Sequence, residues 1–208
     1  VIDALKHTVK PDYVFADKTL QTLDYENKRV ILVTAHRREN LGEPLENICR
    51  AILNIVNSAE DVEVVYPIHM NPLVRNTANK ILGGHNRIHI IEPLDVTELH
   101  NLMSRCYMVM TDSGGLQEEA PSLAKPVLVL RDKTERPEAI TAGTVKIAGV
   151  EEALIIEMAK ELLFNKEEYE KMSKAVNPYG DGLASERIAD AILYTFGVKS
   201  KAPSNFND

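Results

Sequence analysis

Cysteine is scarce: two residues in 208, Cys49 and Cys106. Neither stands at metal-ligand spacing to a second cysteine or to a histidine, so no zinc site and no disulfide framework is expected. Each lies in an apolar helical context, as a buried, reduced thiol of a cytoplasmic protein would. No apolar run is long enough to span a bilayer. Positive charge is outweighed, with 24 Lys and Arg against 31 Asp and Glu and a net charge of −7. Neither nucleic acid nor an anionic membrane is therefore an expected partner, and an anionic ligand would have to be held by local groups. Several signatures are missing too. There is no Gly-x-x-x-x-Gly-Lys phosphate loop, no Gly-x-Gly-x-x-Gly after the first strand, no Gly-x-Ser-x-Gly elbow and no metal cluster. No cofactor is expected. The chain also lacks an initiator methionine, and Val1 to Val9 already reads as a helix, which suggests a piece of a longer protein.

What is present is a β–α rhythm. Continuous β-branched or apolar runs at 30–34, 62–66, 88–91, 107–111, 126–130 and 144–147 predict six strands buried on both faces. Helical spacing fills the segments between them. Leu45, Ile48, Ala51, Ile52, Ile55 and Val56 mark one helix, opened by Pro44. Asp95-Val96-Thr97-Glu98 resembles a capping box opening another. Residues 10–28 read as a polar connector, and the last third as helices over 151–164, 167–176 and 184–196. The expected fold is α/β, a Rossmann-like doubly wound parallel sheet with helices on both faces. One domain over 1–198 is expected, with a polar, flexible tail over 199–208.

In such a sheet, ligands bind beyond the carboxyl ends of the strands. Thr111-Asp112-Ser113-Gly114-Gly115-Leu116-Gln117-Glu118-Glu119 reads as strand, glycine turn and helix. Backbone N–H groups of Ser113, Gly114 and Gly115 would then point outward at a helix N-terminus, where an anion is favoured. Glu119 follows about one helical turn on, on a face that could reach a ribose. An ordinary glycine turn with a solvated Glu-Glu pair fits the local pattern equally well. His36-Arg37-Arg38 at the first strand end could meet a phosphate, or the arginines could pair with Glu39 and Glu43. His69 divides evenly between ligand contact and loop packing. Arg136 opens a short helix before Pro137, a poor place for a cation unless an anion joins it. His7, His85, His89 and His100 read as surface or packing residues.

Read together, five loops resemble the C-terminal half of the non-hydrolysing UDP-N-acetylglucosamine 2-epimerases. They are Thr34 to Asn40, Pro67 to Pro72, Glu92-Pro93-Leu94, Thr111 to Pro121, and Arg131 to Glu138 with its Thr-Glu-Arg-Pro-Glu. The resemblance implies a GT-B-like fold of two domains with the active site in the cleft. It implies interconversion of UDP-GlcNAc and UDP-ManNAc, by elimination of UDP to a 2-acetamidoglucal and re-addition on the other face. It implies that Ser113, Gly114 and Gly115 bind the diphosphate, that Glu119 binds the ribose, and that Arg136 and the catalytic His36 face the phosphates. The backbone near Leu94 would meet the uracil, and Arg37 and His69 would serve a second, activating UDP-GlcNAc. UDP, UDP-GlcNAc, an N-terminal domain of the same protein and a second copy in a homodimer are the implied partners, and cell-surface polysaccharide synthesis the implied setting. The family's N-terminal domain, which holds the carboxylates thought to move the C2 proton, has no counterpart in the sequence, so the chain alone is expected to lack epimerase activity. Two rivals remain at this point: the nucleotide domain of a GT-B glycosyltransferase, and a non-catalytic UDP-sugar-binding module.

Overall fold

The computed structural model describes residues 1–206. The chain opens with α1 (Ile2–Thr8) and α2 (Lys18–Thr22). There follow β1 (Arg29–Thr34), α3 (Glu43–Asn57), β2 (Val62–Pro67), α4 (Pro72–Leu82) and β3 (Ile88–Ile91). The second half runs α5 (Val96–Arg105), β4 (Met108–Thr111), α6 (Gly114–Ser122), β5 (Val127–Val129), α7 (Pro137–Ala142) and β6 (Val145–Ile147). Three helices close it: α8 (Glu152–Phe164), α9 (Lys166–Ser173) and α10 (Ala184–Thr195).

All six strands are parallel, in the order β3-β2-β1-β4-β5-β6. The expected doubly wound sheet is thus present. Alternation along each strand divides the core in two. Ile31, Val33, Val64, Met110 and Leu128 face one layer, with residues of α3, α4 and α8. Val30, Leu32, Val65, Val109 and Val127 face the other, with residues of α1, α5, α6 and α7. The strand order reverses between β1 and β4, where Thr34 pairs with Thr111. The two loops leaving that point diverge, and the crevice they leave is where such sheets take ligands.

The segment read as a polar connector is more structured than its composition suggests. Asp17 caps α2, accepting from Thr19 N at 2.8 Å and Leu20 N at 3.1 Å. Phe15 and Leu20 are buried in the second core layer. Five helical residues are too few to carry a periodic signal. The capping box at α5 is half formed. Asp95 accepts from Glu98 N at 2.9 Å, but Glu98 Oε1 turns to Ala16 N at 2.6 Å rather than back to its own helix. That bond docks the early segment onto α5. In the segment expected as a tail, Lys199 Nζ reaches Asp190 Oδ1 at 2.6 Å, and residues 207–208 lie outside the described residues.

Candidate functional site

The centre of the site is a carboxylate to which the sequence alone assigns no role. Asp112 directly follows β4 and is fully buried. Its Oδ2 accepts from His36 N and Arg37 N, both at 2.7 Å, and from Asn40 Nδ2 at 3.1 Å. Asn40 also donates to Leu130 O at 3.0 Å. One side chain therefore joins the loops after β1, β4 and β5. A buried carboxylate is stable there because backbone N–H donors replace its water. Its Oδ1 has no hydrogen bond and lies 3.6 Å from His36 Nδ1. The Nδ1 edge of the imidazole thus faces Asp112, which leaves Nε2 for a ligand.

The glycine turn follows at once. Thr34 and Thr111 share a hydrogen bond of 2.6 Å between hydroxyls. Thr111 Oγ1 then accepts from Ser113 N at 2.9 Å. Of the three N–H groups expected to point outward, that of Ser113 is therefore already bonded. No side chain caps α6, so the donors of Gly114 and Gly115 remain for an anion. A Cβ on Gly114 would come within 3.9 Å of Arg136 Nη2, so the guanidinium lies beside the turn. Arg136 has an anion of its own, because its Nε is hydrogen-bonded to Glu118 of α6. Thr134 supports this loop, donating to Gln117 Oε1 at 2.6 Å and accepting from Arg136 N at 3.1 Å.

Beside the turn is an apolar cavity of about 360 Å³. Its walls include Pro93, Leu94, Leu99, Leu116 and Ser113, with His36 and His69 at one side. The two imidazoles stack, with centroids 5.0 Å apart and planes at 5°. His36, His69, Leu94 and Ser113 are thus brought together as the sequence reading expected. Arg37 stands on the same rim and donates from Nε to Asp112 O at 3.2 Å. Glu39 pairs with neither Arg37 nor Arg38; it meets Arg131 at 2.9 Å. Arg131 also holds Glu135 and keeps that carboxyl well below its usual range, at about 2.

The Glu119 side chain is mostly buried, with 16% of its surface exposed. Its Oε2 lies 3.5 Å from Nε2 of His100, a residue read from sequence as packing. Burial pushes the Glu119 carboxyl above the usual carboxylate range, while the facing His100 pulls it back. Nothing in the spacing of residues 100 and 119 could have disclosed this pair. Burial also raises both cysteine thiols, to about 12. No cluster of metal-ligating side chains occurs among the described residues.

The doubly wound sheet and the loops gathered at its switch point define a ligand-binding domain of the Rossmann class. The family model for UDP-N-acetylglucosamine 2-epimerase matches residues 1–193, and the chain belongs to that family. A Clostridium acetobutylicum relative named for this enzyme is 58% identical over 207 residues, covering 100% of this chain and 54% of that protein. The UDP-N-acetylglucosamine 2-epimerase of Bacillus subtilis is 53% identical over 206 residues, 99% of this chain and 53% of that one. The structure of S. aureus MnaA with UDP superposes with a TM-score of 0.90 at 50% identity, covering 99% of this chain and 55% of that chain. The chain thus spans about half the length of the relatives it matches. The C-terminal domain of a group 1 glycosyl transferase from Francisella tularensis shares the fold alone, at a TM-score of 0.57 and 12% identity over 84% of this chain. The GT-B character of the fold is established by these likenesses.

Proposed function

We propose that this chain is the UDP-binding half of an enzyme that interconverts UDP-GlcNAc and UDP-ManNAc. The observation that carries the reading is the adjacency of an apolar cavity and an uncapped helix N-terminus, with Ser113 and Leu116 of the α6 start belonging to both. Family membership and the UDP bound to the S. aureus relative support it. In this reading the uracil lies against Pro93 and Leu94, in a cavity of the size expected for a small ligand. The diphosphate lies on the N–H groups of Gly114 and Gly115, next to Ser113, and competes with Glu118 for Arg136. The ribose hydroxyls meet Glu119.

The chemistry follows from where charge develops. A base removes the C2 proton, the C1–O bond breaks with its electron pair leaving on UDP, and a 2-acetamidoglucal remains. UDP then returns to C1 and the proton to the other face of C2. Preorganised donors beside the departing phosphate stabilise that step. The helix N-terminus, Arg136 and Nε2 of His36 are such donors. His69 and Arg37 belong to a second UDP-GlcNAc in this reading, and the His36–His69 stack would make the two ligands neighbours. The base comes from the part of the protein outside this chain. We read the whole enzyme as a cytoplasmic homodimer serving cell-surface polysaccharide synthesis, with the buried, unpaired thiols in keeping with a reducing compartment.

A calorimetric titration tests the nucleotide reading. A Cβ on Gly115 would meet only Ser113 Oγ, at 3.9 Å, so the fold accommodates a side chain there. UDP should bind the 208-residue chain, and Gly115→Val should abolish binding by blocking the phosphate while the fold is kept. Equal affinity in the two proteins would refute the assignment of the turn.

A further inference from the structure

His100 is held at both ring nitrogens. Its side chain is 3% exposed and lies between α1 and α6. Nδ1 is 2.8 Å from Thr8 Oγ1. The Thr8 hydroxyl donates to Ala4 O at 2.9 Å. A hydroxyl has one hydrogen to give; spent on Ala4 O, it leaves the oxygen to accept from an N–H at Nδ1. Thr8 is itself anchored, its carbonyl accepting from Asn101 Nδ2 at 2.8 Å. The ring position left to adapt is Nε2, which faces Glu119 Oε2 at 3.5 Å. An N–H on that nitrogen would be aimed at Glu119.

The pair sits directly behind the cavity. Leu99 and Leu116 line its wall. His100 follows Leu99 on α5, and Glu119 is one turn along α6 from Leu116, on the same face. The groups facing Glu119 are His100 from α5, Glu118 on its own helix and the Val1 amino group beside α1. Of these only His100 is within ion-pair distance.

We propose that His100 is a positioning residue, which holds Glu119 as the acceptor for the two ribose hydroxyls and ties that acceptor through Thr8 to α1. The proposal rests on the reading of Glu119 as the ribose ligand. A carboxylate that takes two hydroxyl hydrogens must be ionised and fixed in direction. Burial alone works against the charge; an N–H on a ring seated from the far side against Thr8 offsets that and fixes the aim.

The test compares UDP with 2′,3′-dideoxyuridine 5′-diphosphate, which lacks the hydroxyls and keeps everything else. Dissociation constants of both are measured by calorimetry on the full chain and on Glu119→Gln, His100→Ala, His100→Gln and Thr8→Val. UDP should lose about five- to tenfold in affinity for His100→Ala, the worth of one ordinary hydrogen bond, with the dideoxy ligand unchanged. His100→Gln, whose amide can still donate towards Glu119, should recover part of the loss. Thr8→Val keeps the shape and removes the hydroxyl at Nδ1, together with its local bond to Ala4 O. It should show a smaller loss of the same kind, and it decides the matter if His100→Ala does not fold. A diol-specific loss in Glu119→Gln with none in Thr8→Val and either His100 variant would overturn the proposal and leave the ribose reading standing. No diol-specific loss in Glu119→Gln would overturn the ribose reading itself. Equal loss of both ligands in the His100 and Thr8 variants would make His100 a packing residue, against the proposal.

Discussion

Asp112 and His36 are linked twice. One carboxylate oxygen of Asp112 takes the backbone N–H of His36 at 2.7 Å, and the other lies 3.6 Å from Nδ1 of the same residue. The loop after β1 is therefore positioned by the end of β4, the strand beside it. The imidazole, the glycine turn and the arginine loop keep their mutual geometry because one buried acid holds the first two and Asn40 ties in the third.

Asp112→Ala should accordingly be among the most damaging single changes in the domain. It orphans the N–H groups of His36 and Arg37, and unsatisfied buried donors cost about 1–3 kcal/mol each. Asp112→Asn retains one oxygen for those donors and loses only the charge near His36, so it should destabilise less. Urea denaturation of the two variants measures the difference, and equal loss in both would mean that the hydrogen bonds to Oδ2 are not what holds the loop.

The raised Glu119 carboxyl gives opposite pH trends for stability and binding. Burial favours its neutral form in the fold, so its contribution to stability is fully present below the ordinary value of 4.5 and fades as pH rises through the higher folded value. A ribose ligand needs the ionised form, so UDP affinity should fall as pH is lowered through the same window. Calorimetry from neutral pH downward, with Glu119→Gln as the reference, isolates the effect. The profile of the variant should be flatter, and superimposable profiles would remove Glu119 from the ribose site.

Thiols raised to about 12 by burial are protonated and inaccessible. Native protein at pH 8 should show no fast reaction with Ellman's reagent, and denatured protein should release two equivalents, one each from Cys49 and Cys106. A rapid equivalent from the native state would contradict the packing of α3 or of the turn after α5.

The sequence was most readable where chemistry is local. Val30 to Thr34 can hardly be other than a buried strand, and two glycines after Met108–Thr111 announce the turn into α6. From six such strands the switch point follows, and with it the gathering of His36, His69, Leu94 and Ser113. Features that depend on residues far apart in the chain leave no local signal. The bonds of Asp112 span 72 to 76 residues, and Thr8 meets His100 across 92. The occupied N–H of Ser113 depends on the rotamer of Thr111, and the Glu118 partner of Arg136 on the approach of two loops. The capping box at α5 was legible in its aspartate and not in its glutamate, because tertiary contact drew Glu98 towards Ala16.

The proposed function divides the labour: this chain would bind the nucleotide and leave the C2 proton to the rest of the enzyme. Among the described residues no carboxylate lines the cavity, and four acids of the surrounding loops are engaged, Glu39 by Arg131, Glu118 by Arg136, Glu119 by His100 and Glu138 by Tyr179. Proton abstraction from carbon needs a base held close to that carbon. Saturation-transfer NMR of UDP-GlcNAc with the 208-residue chain in D₂O reads both halves of the claim in one sample. The predicted result is saturation of the uracil and ribose protons by the protein, with the sugar C2 proton signal undiminished over hours. Loss of that signal to deuterium, or a nucleotide that receives no saturation, would contradict the account.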